Sequence, residues 1–273
     1  MFEILFLGTG TSHGVPVVDC MMNDYKFCPK DVCRLAEIDK KHKRSRSSIL
    51  VSFNGKSVLI DCGPDFREQA LREKIKNIDA VLFTHRHSDH ICGIPDIRSY
   101  STIVLSRGKA DSKTLPIYGS QETIDSISQS FSYIFDPNTF VGGGIPELER
   151  YVINEKLNLF GEDFIPIPVE HGSCKGCFGY RFGDIAYIPD IKIMPENSLN
   201  LLKNLELLII DCLRMERPHS THFIYADIEG IIAKINPKSV LGTHLCHDIH
   251  YENDEKVIDK RMTFAYDGQK TVI

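Results

Sequence analysis

The segment Thr84-His85-Arg86-His87-Ser88-Asp89-His90 places three histidines and an aspartate within six residues, directly after the apolar run Ala80–Thr84. Imidazole nitrogen and carboxylate oxygen suit zinc, manganese or iron, and two ligand pairs spaced two residues apart can serve two neighbouring ions. Four other apolar runs end in the same way: Asp61 follows SVLI, Asp190 follows AYIP, Asp211 follows LLII and His244 follows VLGT. Strand ends gather at one edge of a layered sheet, so residues far apart in sequence can share a site there. The chemistry such a site offers is hydrolysis, because bound divalent ions lower the pKa of water from 15.7 towards ~7 and stabilise charge in an in-line displacement.

The elements that must position these residues follow from apolar runs bounded by Gly, Pro or Asp. The runs predict strands at Phe2–Leu7, Ile49–Phe53, Ser57–Ile60, Ala80–Thr84, Leu115–Tyr118, Phe164–Val169, Ile185–Ile188, Leu205–Ile210, Ser239–Thr243 and Met262–Tyr266. Helices are expected at Asp65–Lys74, Gln121–Phe131, Pro195–Lys203 and Tyr225–Asn236, the last with apolar residues at Ile228, Ile231, Ile232 and Ile235. Helices interleaved with many strands indicate an α/β layered fold. The 273 residues suffice for a sizeable core in one large or two small domains. The apolar runs are strand-sized rather than membrane-spanning, and residues 1–10 lack the basic start and the length of a signal peptide, so a cytoplasmic location is expected. Thiols stay reduced there, and nine cysteines beside 11 histidines point to metal ligands rather than a disulfide framework.

The formal net charge of −5 argues against broad coating of nucleic acid, which needs a basic surface. The one basic run, Lys40–Arg46, holds five Lys or Arg in seven residues. Its lysines read as a solvated loop, whereas Arg44 and Arg46 are open to a phosphate-steering role. Gly142–Gly144 reads as a flexible turn, and Cys174-Lys175-Gly176-Cys177 as a loop with two free thiols. Cys62, Cys92 and Cys212 are expected to pack in apolar surroundings.

At the histidine cluster the sequence resembles the metallo-β-lactamase fold superfamily, whose signature is H-x-H-x-D-H followed by a distant His, Asp and His. The resemblance spans nearly the whole chain and implies a four-layer αββα sandwich, with residues 1–273 forming a single hydrolase domain. Carried over by position, His85, His87 and His171 would hold one divalent ion, Asp89, His90 and His244 a second, and Asp190 would bridge them. Asp61, in Leu59-Ile60-Asp61-Cys62-Gly63, matches the early motif whose aspartate supports the metal loop from behind. With neutral imidazoles, two divalent ions set against Asp89, Asp190 and a bridging hydroxide leave about +1 for an anionic substrate oxygen.

The stretch Gly8-Thr9-Gly10-Thr11-Ser12-His13-Gly14-Val15-Pro16, with Cys20 and Arg44-Ser45-Arg46-Ser47-Ser48, resembles the cyclic phosphodiesterase branch, which includes the phosphoribosyl 1,2-cyclic phosphate phosphodiesterases. The glycines suit a tight turn and close backbone approach. This branch implies a structural zinc held by three early cysteines and a late histidine. The matching residues are Cys20, Cys28, Cys33 and His247, on a cysteine-rich loop at about 20–46, with Cys246 a competitor for His247. The spacing Cys-x7-Cys-x4-Cys is wider than the family's. His222 resembles a family histidine near the substrate and suits general-acid work.

The resulting expectation is a hydrolase with two divalent ions, zinc or manganese, and one structural zinc. It would cleave a small cyclic or nucleotide-like phosphodiester through a hydroxide between the two ions, with Asp89 and His222 as catalytic groups. The alternatives are a tRNA 3′-processing ribonuclease, whose basic arm has no counterpart here, and a diiron redox protein of the same fold, in which a carboxylate commonly replaces one motif histidine. The expected partner is a small anionic diester, with neither membrane nor nucleic acid; a homodimer is left open.

Overall fold

The computed structural model describes residues 1–104, 110–112, 114–140 and 144–273. Of the turn expected at Gly142–Gly144, residues 142–143 lie outside that set. In chain order the strands are β1 (Glu3–Gly8), β2 (Ser48–Phe53), β3 (Lys56–Ile60), β4 (Ala80–Leu82), the hairpin β5 (Thr102–Val104) and β6 (Ala110–Ser112), β7 (Leu115–Gly119) and β8 (Leu148–Val152). They continue with β9 (Leu157–Leu159), β10 (Glu162–His171), β11 (Cys174–Phe182), β12 (Ile185–Ile188), β13 (Leu207–Asp211), β14 (Ser239–Thr243), β15 (Met262–Phe264) and β16 (Lys270–Val272). One seven-stranded sheet runs β16-β1-β2-β3-β4-β7-β8, and the other runs β15-β14-β13-β12-β11-β10-β9.

Alternation along the strands assigns each face. Ile4, Phe6, Val51, Val58 and Ile60 of the first sheet pack on Phe164, Tyr180, Phe182, Tyr187 and Ile209 of the second. The intervening residues face outward: Leu5, Leu7, Leu59 and Val81 pack with Phe66, Ile124 and Ile127 of helices Phe66–Glu73 and Gln121–Ser130. On the other side Leu208 and Ile210 meet Ile228, Ile231, Ile232 and Ile235 of helix Tyr225–Ile235. The product is an αββα sandwich. Strands covered on both faces read in sequence as continuous apolar runs, which is why the central ones were visible.

Three of the expected helices fall within a residue of their predicted ends. Asp65 precedes Phe66–Glu73 with its carboxylate turned to Arg46, and Lys74 and Asn236 end their helices in the left-handed region, at φ +54° and +47°. Pro195–Lys203 differs: only Glu196–Leu199 is α-helical and Asn200–Leu202 is a 3-10 turn, as Asn and Ser compete with helical bonding through their side chains. The C-x-x-C is corrected as well. Cys174 and Cys177 belong to β11, which pairs with β10 after a turn at Gly172 with φ +56°; both thiols are free but buried. Cys62 and Cys212 are buried as expected, whereas Cys92 is exposed.

The arginines of the basic run serve the fold. Arg44 is 1% exposed and donates to the carbonyls of Cys246 and Ile249 and to the Tyr251 hydroxyl. Arg46 pairs with Asp65 at 2.8 Å. Long-range backbone acceptors of this kind have no sequence signature, and the steering role offered for these arginines is set aside. Gly8 owes its identity to the same segment, since a Cβ there would sit 2.0 Å from the Arg46 carbonyl oxygen.

Candidate metal centre

The strand ends meet at one edge. Asp61 follows β3 and His85 lies just past β4 in the first sheet; His171 ends β10, Asp190 follows β12, Asp211 ends β13 and His244 follows β14 in the second. The loop after β4 turns at once into the short helix Ser88–Ile91, which carries Asp89 and His90. The turn requires Gly63, because a Cβ there would fall 2.0 Å from the Asp89 carbonyl oxygen.

Asp61 organises this loop from beneath. It is completely buried in the left-handed region, φ +65°, which Asp tolerates better than most residues. Its carboxylate accepts from the Thr84 amide at 2.8 Å, from the Thr84 hydroxyl, and from His90 Nδ1 at 2.8 Å. The His90 ring is thereby fixed with Nε2 3.3 Å from Asp89 Oδ2 and 3.1 Å from Asp190 Oδ2. His171 is oriented in the same manner, with Nδ1 2.8 Å from the Thr221 carbonyl oxygen and Nε2 3.6 Å from Asp190 Oδ1. His85 Nε2 and His87 Nδ1 lie 2.9 Å apart, and His244 Nε2 lies 3.6 Å from Asp89 and 3.5 Å from Asp190.

All seven ligand-type residues singled out in the sequence are therefore brought together, in sub-clusters His85/His87/His171, His85/His90/Asp190 and Asp89/His90/His244. Their electrostatics suit cations. Burial alone would raise Asp190, but His244, His90 and His85 outweigh it and hold the carboxyl well below its ordinary value. Burial keeps His85 and His171 below the usual histidine range, in the neutral form a metal requires. The buried atoms His90 Nε2, Asp190 Oδ2, His244 Nδ1 and His244 Nε2 lack hydrogen-bond partners, an arrangement that is costly unless something satisfies it. Divalent ions fit this donor set.

Asp211 is the residue whose role the sequence did not disclose. It is completely buried and accepts from His222 Nδ1 at 2.8 Å and from the amides of Ile191 and Phe223. Its position after LLII was the available signal, but its partner could not be read from there. Burial opposes charging of His222, yet Asp211, by charge and hydrogen bond, together with Asp190 and Asp89, raises the imidazole to about 9. The His222 ring stacks on His244 with centroids 4.7 Å apart. Two openings reach the cluster: a cavity of about 450 Å³ lined in part by His222, His244, Arg214, Arg217 and Phe27, and one of about 420 Å³ that exposes His87, Asp89, His171 and Asp190.

The second cluster lies in the cysteine-rich loop. Sγ of Cys20, Cys33 and Cys28 stands 3.2, 3.5 and 4.0 Å from His247 Nδ1. The wide spacing is taken up by helix Val18–Met22, a 3-10 turn at Pro29–Asp31 and helix Val32–Ile38. Cys246 faces Asp248 instead, at 3.7 Å. Burial pushes the Cys20 and Cys33 thiols up, so these side chains would ionise on meeting a cation rather than before.

A β-lactamase superfamily domain matches residues 56–245, and the chain belongs to that superfamily of metal-dependent hydrolases. Within it, the chain is similar to a solved diphosphatase from the PhnP family, with 36% identity, a TM-score of 0.85, and coverage of 100% of this chain and 98% of the other. An octanoyltransferase of Porphyromonas gingivalis is 34% identical across 98% of the chain, which spans only 51% of that protein's length. A ribonuclease Z of Bradyrhizobium sp. is 33% identical over 46% of the chain and 33% of its own length.

Proposed function

We propose that the protein is a phosphodiesterase that cleaves a small cyclic or nucleotide-like phosphodiester with two divalent ions, zinc or manganese. The carrying observation is the convergence of five histidines and two buried carboxylates with unsatisfied donor atoms at one edge of the sandwich. His85, His87 and His171 would hold one ion, Asp89, His90 and His244 the other, with Asp190 between them. The ions when bound supply Lewis acidity and water activated at neutral pH.

The chain's own residues do the rest. Asp61, Thr221 and Asp211 fix the imidazoles so that the constellation exists before substrate arrives. His222, with Nδ1 engaged by Asp211, has Nε2 left to donate a proton to the departing oxygen. Arg214 and Arg217 bring guanidinium donors suited to phosphate oxygens to the larger opening, where the carboxylates of Asp19 and Asp248 balance their charge. A cavity of about 450 Å³ matches a nucleotide-sized ligand better than a folded RNA. The similarity to a diphosphatase of the PhnP family supports phosphate-ester chemistry.

We read residues 1–273 as one hydrolase domain whose cysteine loop is tied by a structural zinc on Cys20, Cys28, Cys33 and His247. Nine free cysteines fit a reducing, cytoplasmic setting, and no helix of the described residues is long and apolar enough to cross a membrane. A screen of cyclic nucleotides, linear diesters and precursor tRNA with the metal-loaded protein tests the reading. Turnover of small diesters is expected, and cleavage of tRNA alone would replace this function with ribonuclease Z activity.

A further inference from the structure

The basic run carries one histidine that neither cluster uses. His42 is 2% exposed, and its Nδ1 lies 3.2 Å from Asp39 Oδ2. Its other nitrogen, Nε2, is buried without a hydrogen-bond partner, and so is Nδ1 of His250. Both nitrogens face the same carboxylate: Glu252 Oε2 is 3.6 Å from His42 Nε2 and 3.3 Å from His250 Nδ1. The three donor atoms lie within 4.8 Å of one another. Tetrahedral zinc with bonds of about 2.0–2.1 Å to nitrogen and oxygen sets neighbouring ligand atoms roughly 3.3–3.4 Å apart, close to the two separations found.

We propose that His42, His250 and Glu252 form a further metal site that takes one zinc ion, with the fourth position open to solvent. The two imidazoles and one carboxylate form a donor set of the borderline kind zinc accepts. Asp39 supplies the outer carboxylate that fixes the tautomer and orientation of a ligating histidine, leaving Nε2 as the donor. Asp39 and Glu252 provide the negative charge. Lys41 and Arg44 lie close by but are turned onto the Tyr251 ring, and Asp254 is engaged by Lys30.

The site joins the same two stretches of chain as the cysteine cluster, the loop ending at Arg44 and the segment after His247, about three residues beyond that cluster on the later stretch. Glu252 has a side chain 54% exposed, so the ion exchanges with the medium more readily than one enclosed by Cys20, Cys28 and Cys33. It would stabilise this corner in proportion to free zinc.

The test is equilibrium dialysis of the full chain against buffered free zinc, followed by metal analysis, for the wild type and for His250→Gln and Glu252→Gln. The wild type is expected to hold one zinc per chain more than either variant, with diester hydrolysis equal in all three. Equal zinc content in the wild type and both variants overturns the site. Should His250→Gln fail to fold, Glu252→Gln, altered at a half-exposed side chain, decides the matter alone.

Discussion

The cluster at the sheet edge and the cluster in the cysteine loop both gather ligand-type side chains, but by opposite means. At the sheet edge, strands of two packed sheets deliver the ligands; Asp61 and Thr221 hold His90 and His171 in orientation, and Asp211 does the same for the neighbouring His222. In the cysteine loop Cys20 and Cys33 sit on short helices, with Cys28 and His247 in the segments beside them, and the buried apolar cluster there is small: Val15, Val17, Cys20, Val32, Cys33 and Ala36. On the proposed reading the first region would position its ions by a fold that exists without them. The second would depend on its proposed ion for rigidity, as small metal-tied loops do. Function and stability should therefore separate between the two when metal or ligands are removed.

The largest effect is expected at Asp190, the carboxylate shared by both halves of the candidate centre. Asp190→Asn should bring diester hydrolysis down to background, while the melting temperature of the metal-free chain falls only modestly, through loss of the attraction by which His244, His90 and His85 hold the buried carboxylate charged. Kinetics and calorimetry on the same preparation check both halves of that statement. A marked loss of stability would mean that the sheet edge, too, leans on this residue for its fold.

Cys33→Ser should do the reverse. Loss of a closed-site ligand is expected to lower the melting temperature by about 5 °C or more while turnover falls only a few fold. The loop also brings Phe27 to the larger cavity, so any loss of activity should appear in KM rather than in kcat. A collapse of kcat with an unchanged melting temperature would erase the distinction between the regions.

Asp61→Asn touches no ion but removes the charged acceptor for His90 and Thr84. Metal affinity or activity should fall on the order of 10–100-fold, measurable by chelator competition. The effect at His222 should be selective, confined to one kind of substrate. His222→Ala should slow a diester with a poor leaving group by about 10²-fold, the low end for general-acid catalysis, and leave an activated nitrophenyl diester nearly untouched. Equal losses on both substrates would assign His222 to positioning.

What could be read from sequence was whatever depends on local pattern. Continuous apolar runs marked the doubly covered strands β1, β2, β4 and β13, and the polar residues at the ends of β3, β4, β13 and β14 marked the edge at which Asp61, His85, Asp211 and His244 meet. Strand β11 was hidden because Lys175, Gly176 and Gly179 break its apolar pattern, and its pairing with β10 defines it instead. The short strands β8 and β9 are polar on much of their surface and gave no run to detect. The role of Arg44 rests on carbonyls more than 200 residues away, and the partnership of Asp211 with His222 on where the chain returns after β13. His42 and His250 meet for the same reason of topology.

The central claim is that ions held at the sheet edge, and not elsewhere, carry diester hydrolysis. The direct measurement is hydrolysis of a nucleoside cyclic phosphate by chelator-stripped protein before and after reloading with zinc or manganese, with Asp190→Asn in parallel. Activity should be absent when stripped, return on reloading, and remain absent in the variant. Equal hydrolysis by stripped and reloaded protein, or full recovery in Asp190→Asn, would contradict it.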